Sequence, residues 1–144
     1  MNEHKKIGFS VVGCGHIGKR HIAEIKANPN ALLLAVCDIK NKNEFEDFGV
    51  PFFGSLDELL DSDICSDVIN ICTPNGMHSS QSLLALEHCN VLVEKPIALT
   101  AQDASAMIQK EKETVNQIFC VMQNRYSPPA IWLKSLIQNN LLGE

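Results

Sequence analysis

Short apolar segments alternate along this chain with longer segments in which apolar residues recur every three or four positions. The short segments are almost continuously apolar, as expected for parallel strands that are covered on both faces. They predict strands over residues 7–12, 32–37, 51–53, 68–72, 91–93 and 118–122. Strands that alternate with helices in this way predict an α/β fold with a doubly wound parallel sheet and right-handed crossovers.

The amphipathic segments predict helices over residues 16–27, 56–60, 79–89 and 101–115, with a last helix after Pro128-Pro129. Two of these helices begin with a polar residue that is followed three positions later by an acidic one, a spacing typical of helix N-caps. These pairs are Ser55 with Glu58 and Thr100 with Asp103. The helical spacing predicts one apolar face for each of the last two helices. The predicted faces consist of Ala104, Met107, Ile108 and Val115, and of Trp132, Leu133, Leu136 and Ile137.

The chain has 144 residues, which suits one domain with a hydrophobic core. Its formal net charge of −5 argues against a surface that binds nucleic acid or an anionic membrane. The longest apolar run, residues 31–36, is too short to cross a bilayer, and the first residues do not resemble a signal peptide. We therefore expect a cytoplasmic protein with no nucleic-acid or membrane partner.

Six cysteines are present, but none forms a CxxC pair, so free thiols in a reducing compartment are expected rather than disulfides. His16 and His21 are five positions apart, which places them on different helical faces, and no metal site is predicted. Cys14 precedes a helix, where a thiolate would be stabilised. It also occupies a variable position of the loop described next, and this favours a structural role.

A glycine-rich loop follows the first predicted strand directly, in the order Gly13-Cys14-Gly15-His16-Ile17-Gly18. In such a GxGxxG loop, Gly13 permits a tight turn, Gly15 lets the backbone approach a pyrophosphate, and Gly18 lets the helix pack on the strand. The free N–H groups at the start of the helix then bind the phosphates. His16 and Ile17 complete this predicted cofactor-binding loop.

Asp38 ends the second predicted strand, 20 residues after Gly18. A carboxylate at this point accepts hydrogen bonds from the hydroxyls of an adenosine ribose and repels a 2′-phosphate. Because no arginine stands beside it, NAD is expected as the cofactor in preference to NADP. The alternative is that Asp38 only begins a solvated loop.

Two other nucleotide-binding classes fit the sequence less well. A short-chain dehydrogenase needs Tyr-x-x-x-Lys, but Ala130 lies four positions after Tyr126, the only tyrosine. Methyltransferases that use S-adenosylmethionine usually carry an acid just before the glycines, where Val11 and Val12 stand here.

Three further polar segments follow later predicted strands, at the edge of the sheet where ligands bind in open α/β folds. They are Cys72-Thr73-Pro74-Asn75-Gly76-Met77-His78, Glu94-Lys95-Pro96 and Gln123-Asn124-Arg125-Tyr126. Together with the glycine loop, and in this order, they resemble the glucose-fructose oxidoreductase / inositol dehydrogenase / MocA family of NAD(P)-dependent oxidoreductases. The resemblance covers essentially the whole chain and implies an NAD-binding Rossmann domain over residues 1–144.

The resemblance assigns roles to particular residues. It places Lys95 beside the nicotinamide and the reacting carbon, where it acts as the catalytic residue. It implies that Glu94 positions this lysine or contacts the nicotinamide ribose, and that four residues shape the dinucleotide groove: Thr73, Pro74, Asn75 and His78. It sets Asn124 and Arg125 at the nicotinamide end. Other interpretations remain open for Lys95 as an exposed charge, His78 as the start of a helix and Arg125 as a surface or capping charge.

Members of the family continue into a second domain that binds substrate, forms the oligomer and supplies an acid/base residue. The resemblance therefore implies that this chain lacks its substrate domain. The expected function is hydride transfer between a sugar hydroxyl carbon and nicotinamide, in a protein that forms a homo-oligomer. Residues 123–129 most resemble the UDP-N-acetylglucosaminuronate dehydrogenases of surface-polysaccharide (lipopolysaccharide) synthesis. The alternatives are an NAD-sensing regulatory module and a truncated paralogue retained for interaction; the lysine motif favours the enzyme.

Overall fold

A six-stranded parallel sheet forms the centre of residues 5–143, the part of the chain that the computed structural model describes. The strands are β1 Ile7–Val12, β2 Ala31–Cys37, β3 Phe52–Phe53, β4 Val68–Ile71, β5 Asn90–Val93 and β6 Ile118–Cys120. They lie in the order β3-β2-β1-β4-β5-β6. The order reverses between β1 and β4, and such a switch point opens a crevice at the carboxyl ends of the strands. The predicted doubly wound α/β fold is confirmed.

Five α-helices connect or follow the strands within these residues. They are α1 His16–Ala27, α2 Leu56–Leu60, α3 His78–Ala85, α4 Ala101–Glu113 and α5 Pro128–Gln138. Short 3₁₀ turns occupy Lys42–Glu44, Asn75–Met77 and Gln123–Tyr126. The backbone N–H of Glu58 donates to Ser55 Oγ, and that of Asp103 donates to Thr100 Oγ1. Both predicted N-caps are confirmed.

The core has two parts, one on each face of the sheet. Val12, Ile69 and Ile71 face α2, α3 and α4, whereas Val11 and Val36 face α1. Neighbouring residues of a strand point to opposite faces, and this is why nearly every position of the central strands is apolar. Asn70 is an exception, because it is polar and buried on the α1 side of β4.

The burial predicted for the last two helices is wrong in part. Met107 of α4 is fully buried, but Ile108 is 50% exposed, and Val115 lies beyond the end of the helix at 98% exposure. On α5, Trp132, Leu133 and Ile137 are exposed, and Leu136 is only half-buried. Helical spacing shows which side chains share a face, but the contact partner decides whether that face is covered. α5 packs mainly against the preceding 3₁₀ turn.

Candidate functional site

A cleft of about 640 Å³ opens at the carboxyl ends of the strands beside the switch point. The glycine loop and the start of α1 form one wall, and the segment after β4 forms the opposite wall. Seven of the predicted site residues line the cleft: Gly13, Gly15, His16, Ile17, Asp38, Thr73 and Pro74. The same cleft is lined by six residues that were not predicted as site residues: Lys40, Ser55, Asp57, Met77, Ser80 and Gln81.

The three loop glycines meet three different steric conditions. Gly13 has φ +92°, and a Cβ there would lie 2.7 Å from the carbonyl carbon of Cys72. A Cβ on Gly18 would overlap the carbonyl oxygen of Gly13, so this glycine permits the close packing of α1 on the loop. A Cβ on Gly15 would meet no heavy atom of the described chain within 4 Å. Gly15 therefore leaves open space in the cleft at the point where α1 begins.

This open space fits a diphosphate. Gly15 is the N-cap residue of α1, and within residues 5–143 no side chain caps the helix there and no acidic residue lies in its first turn. The first N–H groups of a helix lack intrahelical acceptors and carry partial positive charge, so they can donate to phosphate oxygens. The backbone at this end of the cleft thus has the chemistry of an anion site.

Asp38 lies beside the same loop. Its Oδ2 accepts a hydrogen bond from the backbone N–H of Cys14 at 2.7 Å, and its Oδ1 accepts one from that of Lys40 at 2.9 Å. The carboxylate is half-buried in the cleft wall, so it is part of the site rather than the start of a fully solvated loop. Lys40 brings a positive charge to the same rim.

Cys14 is buried under the loop rather than presented to the cleft. Burial, followed by the charge of Asp38, raises the pKa of its thiol to about 12. A helix N-terminus stabilises a thiolate, but here burial of the sulfur and the nearby negative charge of Asp38 outweigh that effect. The structural role favoured for Cys14 agrees with this geometry.

The segment after β4 forms the second wall. The hydroxyl of Thr73 donates to Gln81 Oε1 at 2.5 Å, while Pro74 lines the cleft and Asn75 begins an exposed 3₁₀ turn outside its lining. His78 begins α3 and is 1% exposed, behind the wall rather than in it. Its contribution to the groove is therefore indirect, through the residues that it holds.

The ring of His78 bridges two backbone carbonyl groups. Nδ1 lies 2.7 Å from the oxygen of Pro96, and Nε2 lies 2.9 Å from the oxygen of Thr73. A carbonyl oxygen only accepts, and a neutral imidazole has a single N–H, so the ring makes both hydrogen bonds at once only when it carries both protons.

Glu94 and Lys95 follow β5 at the next position along the sheet edge. Glu94 is 7% exposed; its Oε1 lies 3.1 Å from His21 Nε2, and its Oε2 accepts the backbone N–H of Lys95 at 3.1 Å. Nδ1 of His21 lies 3.1 Å from the amide nitrogen of Asn70. Lys95 itself is exposed. Both carboxylate oxygens of Glu94 are thus engaged within the protein.

Two further predicted residues, Asn124 and Arg125, lie apart from the main cleft. Asn124 and Arg125 belong to the exposed 3₁₀ turn after β6, and Arg125 borders a separate shallow pocket of about 320 Å³. The structure therefore brings Gly13, Gly15, His16, Ile17, Asp38, Thr73 and Pro74 together in one cleft. The other predicted site residues do not line it: Gly18, Asn75, His78, Glu94, Lys95, Asn124 and Arg125.

Sequence reasoning missed the polar network behind the cleft. His21 and Asn70 are 49 residues apart and meet only because α1 packs over β4. A polar residue inside the apolar run of β4 was the one available signal, because buried polar groups need partners. Ser55 and Asp57 could have been found from their position directly after a predicted strand.

Comparison with known proteins decides the family. The model of an oxidoreductase family with an NAD-binding Rossmann fold, Gfo/Idh/MocA, matches residues 7–122. The chain belongs to this family. The resemblance drawn from the sequence motifs and the NAD expectation are therefore confirmed at the level of the family.

The relatives and neighbours of this family member include several sugar dehydrogenases. The chain is 35% identical to the glucose-6-phosphate 3-dehydrogenase of Bacillus subtilis over 143 residues, 96% of this chain and 39% of that protein. A WlbA dehydrogenase from Chromobacterium violaceum, solved with NADH and UDP-GlcNAcA, superposes with a TM-score of 0.90 at 31% identity, covering 99% of this chain and 42% of that one.

A third similar protein is the scyllo-inositol dehydrogenase of Lactobacillus casei, solved with NAD(H) and scyllo-inositol. Its TM-score is 0.85 at 25% identity, and the match covers 97% of this chain and 43% of that one. The family member described here thus spans about two fifths of the length of the relatives that it matches.

The described part of the chain contains neither a membrane-spanning helix nor a cluster of metal ligands. Among residues 5–143, no helix is both long and apolar enough to cross a membrane. Across the same residues, no group of three His, Cys, Asp or Glu side chains is placed to hold a metal ion.

Proposed function

We propose that this chain is the NAD-binding domain of a dehydrogenase that moves hydride between a hydroxyl-bearing carbon of a sugar and nicotinamide. One observation carries the cofactor part: Asp38 and the open N-terminus of α1 face the same cleft, with the Asp38 carboxylate bonded to the loop backbone at Cys14. This arrangement supplies a site for a diphosphate and an acceptor for the adjoining ribose hydroxyls.

Each part of the cleft has a role in this function. The first N–H groups of α1 hold the diphosphate, Asp38 accepts from the adenosine ribose, and Thr73 and Pro74 support the opposite side of the dinucleotide. Outside the cleft lining, the proposal keeps Asn75 next to these residues and Asn124 and Arg125 at the nicotinamide end. When bound, NAD supplies the hydride acceptor. The charge of Asp38 disfavours a 2′-phosphate, and this underlies a preference for NAD over NADP.

Lys95 is the proposed catalytic residue. Its ammonium group is exposed at the sheet edge, where it can approach the reacting hydroxyl. A cation next to an incipient alkoxide lowers the energetic cost of losing the hydroxyl proton. Glu94 accepts the backbone N–H of Lys95 and contacts His21, so its proposed role is to position the lysine or to contact the nicotinamide ribose.

We further propose a sugar nucleotide as substrate, in a cytoplasmic pathway of surface-polysaccharide synthesis. The support is the resemblance of residues 123–129 to that branch and the similarity to a WlbA dehydrogenase solved with UDP-GlcNAcA. The substrate and oligomer contacts would lie in polypeptide outside residues 1–144, in keeping with the share of its relatives that this chain spans.

Calorimetry with NAD and NADP tests the cofactor assignment. The chain should bind NAD more tightly, and Asp38→Ala should weaken NAD binding and narrow the difference from NADP. Lys40→Ala is the matched control, because it removes a charge from the same rim without removing the ribose acceptor. NADP binding at least as tight as that of NAD would contradict the proposed role of Asp38.

The role of Lys95 needs a protein in which this domain is joined to a substrate domain. There, Lys95→Ala should lower turnover by about 10²-fold or more and change NAD affinity little, because the lysine acts on the reacting hydroxyl. A loss of NAD affinity at unchanged turnover would make Lys95 a binding residue instead.

A further inference from the structure

The backbone around Lys95 is held on both sides by histidines, of which His78 is buried and His21 is partly buried. Before it, Glu94 accepts the N–H of Lys95 and contacts His21 Nε2 at 3.1 Å. After it, the carbonyl oxygen of Pro96 lies 2.7 Å from His78 Nδ1. The side chain of His21 is 14% exposed and His78 is 1% exposed, whereas Lys95 between these anchors is exposed.

We propose that His21 and His78 are positioning residues that fix Lys95 relative to the two walls of the cofactor cleft. This inference rests on the proposed function of Lys95. His21 belongs to α1, the helix that begins at the glycine loop, and His78 also contacts the carbonyl oxygen of Thr73 in the opposite wall. Each wall of the cleft is thereby tied to one end of the lysine segment.

The hydrogen-bond chemistry assigns a separate task to each ring nitrogen. Asn70 donates its amide to Nδ1 of His21, so Nε2 of that ring carries the proton and donates to Glu94. In His78 the short contact to Pro96 requires a proton on Nδ1. The donor that matters for Lys95 is therefore Nε2 in His21 and Nδ1 in His78.

This difference permits a test with opposite outcomes at the two positions. A glutamine amide nitrogen takes roughly the place of histidine Nε2, and an asparagine amide nitrogen takes that of Nδ1. His21→Gln should keep the bond to Glu94 and His21→Asn should lose it. His78→Asn should keep the bond to Pro96 and His78→Gln should lose it.

Hydrogen exchange of the Lys95 amide is the readout, because this N–H is bonded to Glu94. His21→Asn and His78→Gln should each accelerate its exchange by about tenfold or more, because each removes a hydrogen bond that holds the segment in which the Lys95 N–H is bonded. His21→Gln and His78→Asn should stay near the wild-type rate. The amide of Val91, in the buried part of β5, reports global stability and serves as the internal control.

The proposal would be overturned if the same substituent, Gln or Asn, gave the slower exchange of the Lys95 amide at both positions. It would also be overturned if Lys95 exchange changed only in parallel with Val91, since that would indicate a general loss of stability. If a variant fails to fold, the protonated ring nitrogens of the wild-type chain test the proposal instead. NMR of the imidazole nitrogens should then find a proton on Nε2 of His21 and on Nδ1 of His78. Absence of either proton would also overturn the proposal.

Addition of NADH and of ADP-ribose separates this inference from the proposed function. ADP-ribose lacks the nicotinamide, so NADH alone should shift the Lys95 amide signal, and His21→Asn should reduce that shift while NADH still binds. If neither ligand binds, the proposed function fails, although the exchange ranking can still hold. If NADH shifts the Lys95 amide signal but the exchange rates of the Gln and Asn variants do not follow the expected order, the positioning role of the two histidines is refuted and the proposed function stands.

Discussion

The glycines in the loop between β1 and α1 have different structural roles. Gly15 lines the cleft and a Cβ there would meet no heavy atom of the described chain within 4 Å, whereas a Cβ on Gly18 would overlap the backbone of Gly13. Both positions fit the same GxGxxG pattern, yet one serves the ligand and the other serves packing. This difference is testable because the same substitution has different consequences at the two sites.

Gly15→Ala should leave the melting temperature within a few degrees of wild type but weaken NAD binding by about tenfold or more, because the new methyl group occupies the approach of the diphosphate. Gly18→Ala should cost about 3 kcal/mol or more of unfolding free energy through backbone overlap. Thermal unfolding and calorimetry measure the two effects. Gly76→Ala is the control, since its Cβ would meet only Leu99, at an ordinary 3.8 Å. Equal destabilisation by the first two changes would contradict this account.

At the scale of elements, α4 shows how the N-cap residue determines where a helix begins. The hydroxyl of Thr100 accepts the N–H of Asp103 at 3.0 Å and donates to its carboxylate at 2.7 Å. The cap supplies a partner for one of the N–H groups that a helix start leaves free, and this fixes where the helix begins. The far end of α4 has no comparable signal in the sequence, and it was predicted two residues too long.

Thr100→Ala should lower the free energy of unfolding by about 1 kcal/mol, the usual cost of losing an N-cap hydroxyl. Ser105→Ala is the matched control in the same helix, because its hydroxyl only donates back to the carbonyl of Ala101. It should change stability by less than about 0.5 kcal/mol. Urea titrations of both variants give the comparison, and an equal loss in the two would mean that the cap does not hold the helix start.

At the scale of the molecule, buried thiols make stability depend on alkaline pH. Burial is the main cause that raises the pKa values of Cys14, Cys37 and Cys72 from an ordinary 9.0 to about 12. Between these values the unfolded chain loses the thiol protons and the folded chain keeps them. The unfolded state then binds fewer protons, so the free energy of unfolding falls as pH rises.

We expect this fall to begin near pH 9 and to amount to about 1 kcal/mol per pH unit for each fully buried thiol. Urea unfolding at pH 7, 9 and 10 measures it. Cys37→Ala should make the decline shallower, whereas Cys65→Ala should leave its slope unchanged because Cys65 is exposed. A pH-independent free energy over this range would refute the buried-thiol explanation.

The apolar side chains of α5 leave an exposed surface on the molecule. Ile131, Trp132 and Ile137 are each more than half exposed. Burying such side chains is favourable, so the chain should self-associate as its concentration rises. Trp132 is the only tryptophan, and its emission should shift to shorter wavelength in the associated form. Sedimentation velocity is the direct test; Trp132→Ser with Ile137→Ser should reduce association, and a monomer at all concentrations would contradict the prediction.

Local pattern was sufficient for much of this molecule. The parallel sheet, the glycine loop, Asp38 at the end of β2 and the caps at Ser55 and Thr100 were all predicted, because each depends on residues that are adjacent or a few positions apart. A continuously apolar strand indicates burial on both faces of the sheet. The spacing of the glycines indicates a turn whose backbone conformation other residues do not readily adopt. The family motifs follow the strands for the same topological reason, since the carboxyl ends of parallel strands meet at one edge.

Contacts between distant segments decided the rest. The burial of His78 behind the wall, the engagement of Glu94 with His21, and the separation of Arg125 from the main cleft depend on how helices settle against strands many residues away. The exposed face of α5 has the same origin, because amphipathic spacing orients side chains but only a packed neighbour buries them. The sequence pattern predicts the local geometry of each helix, strand and turn. Which buried polar groups pair with one another depends instead on how these elements pack in the core.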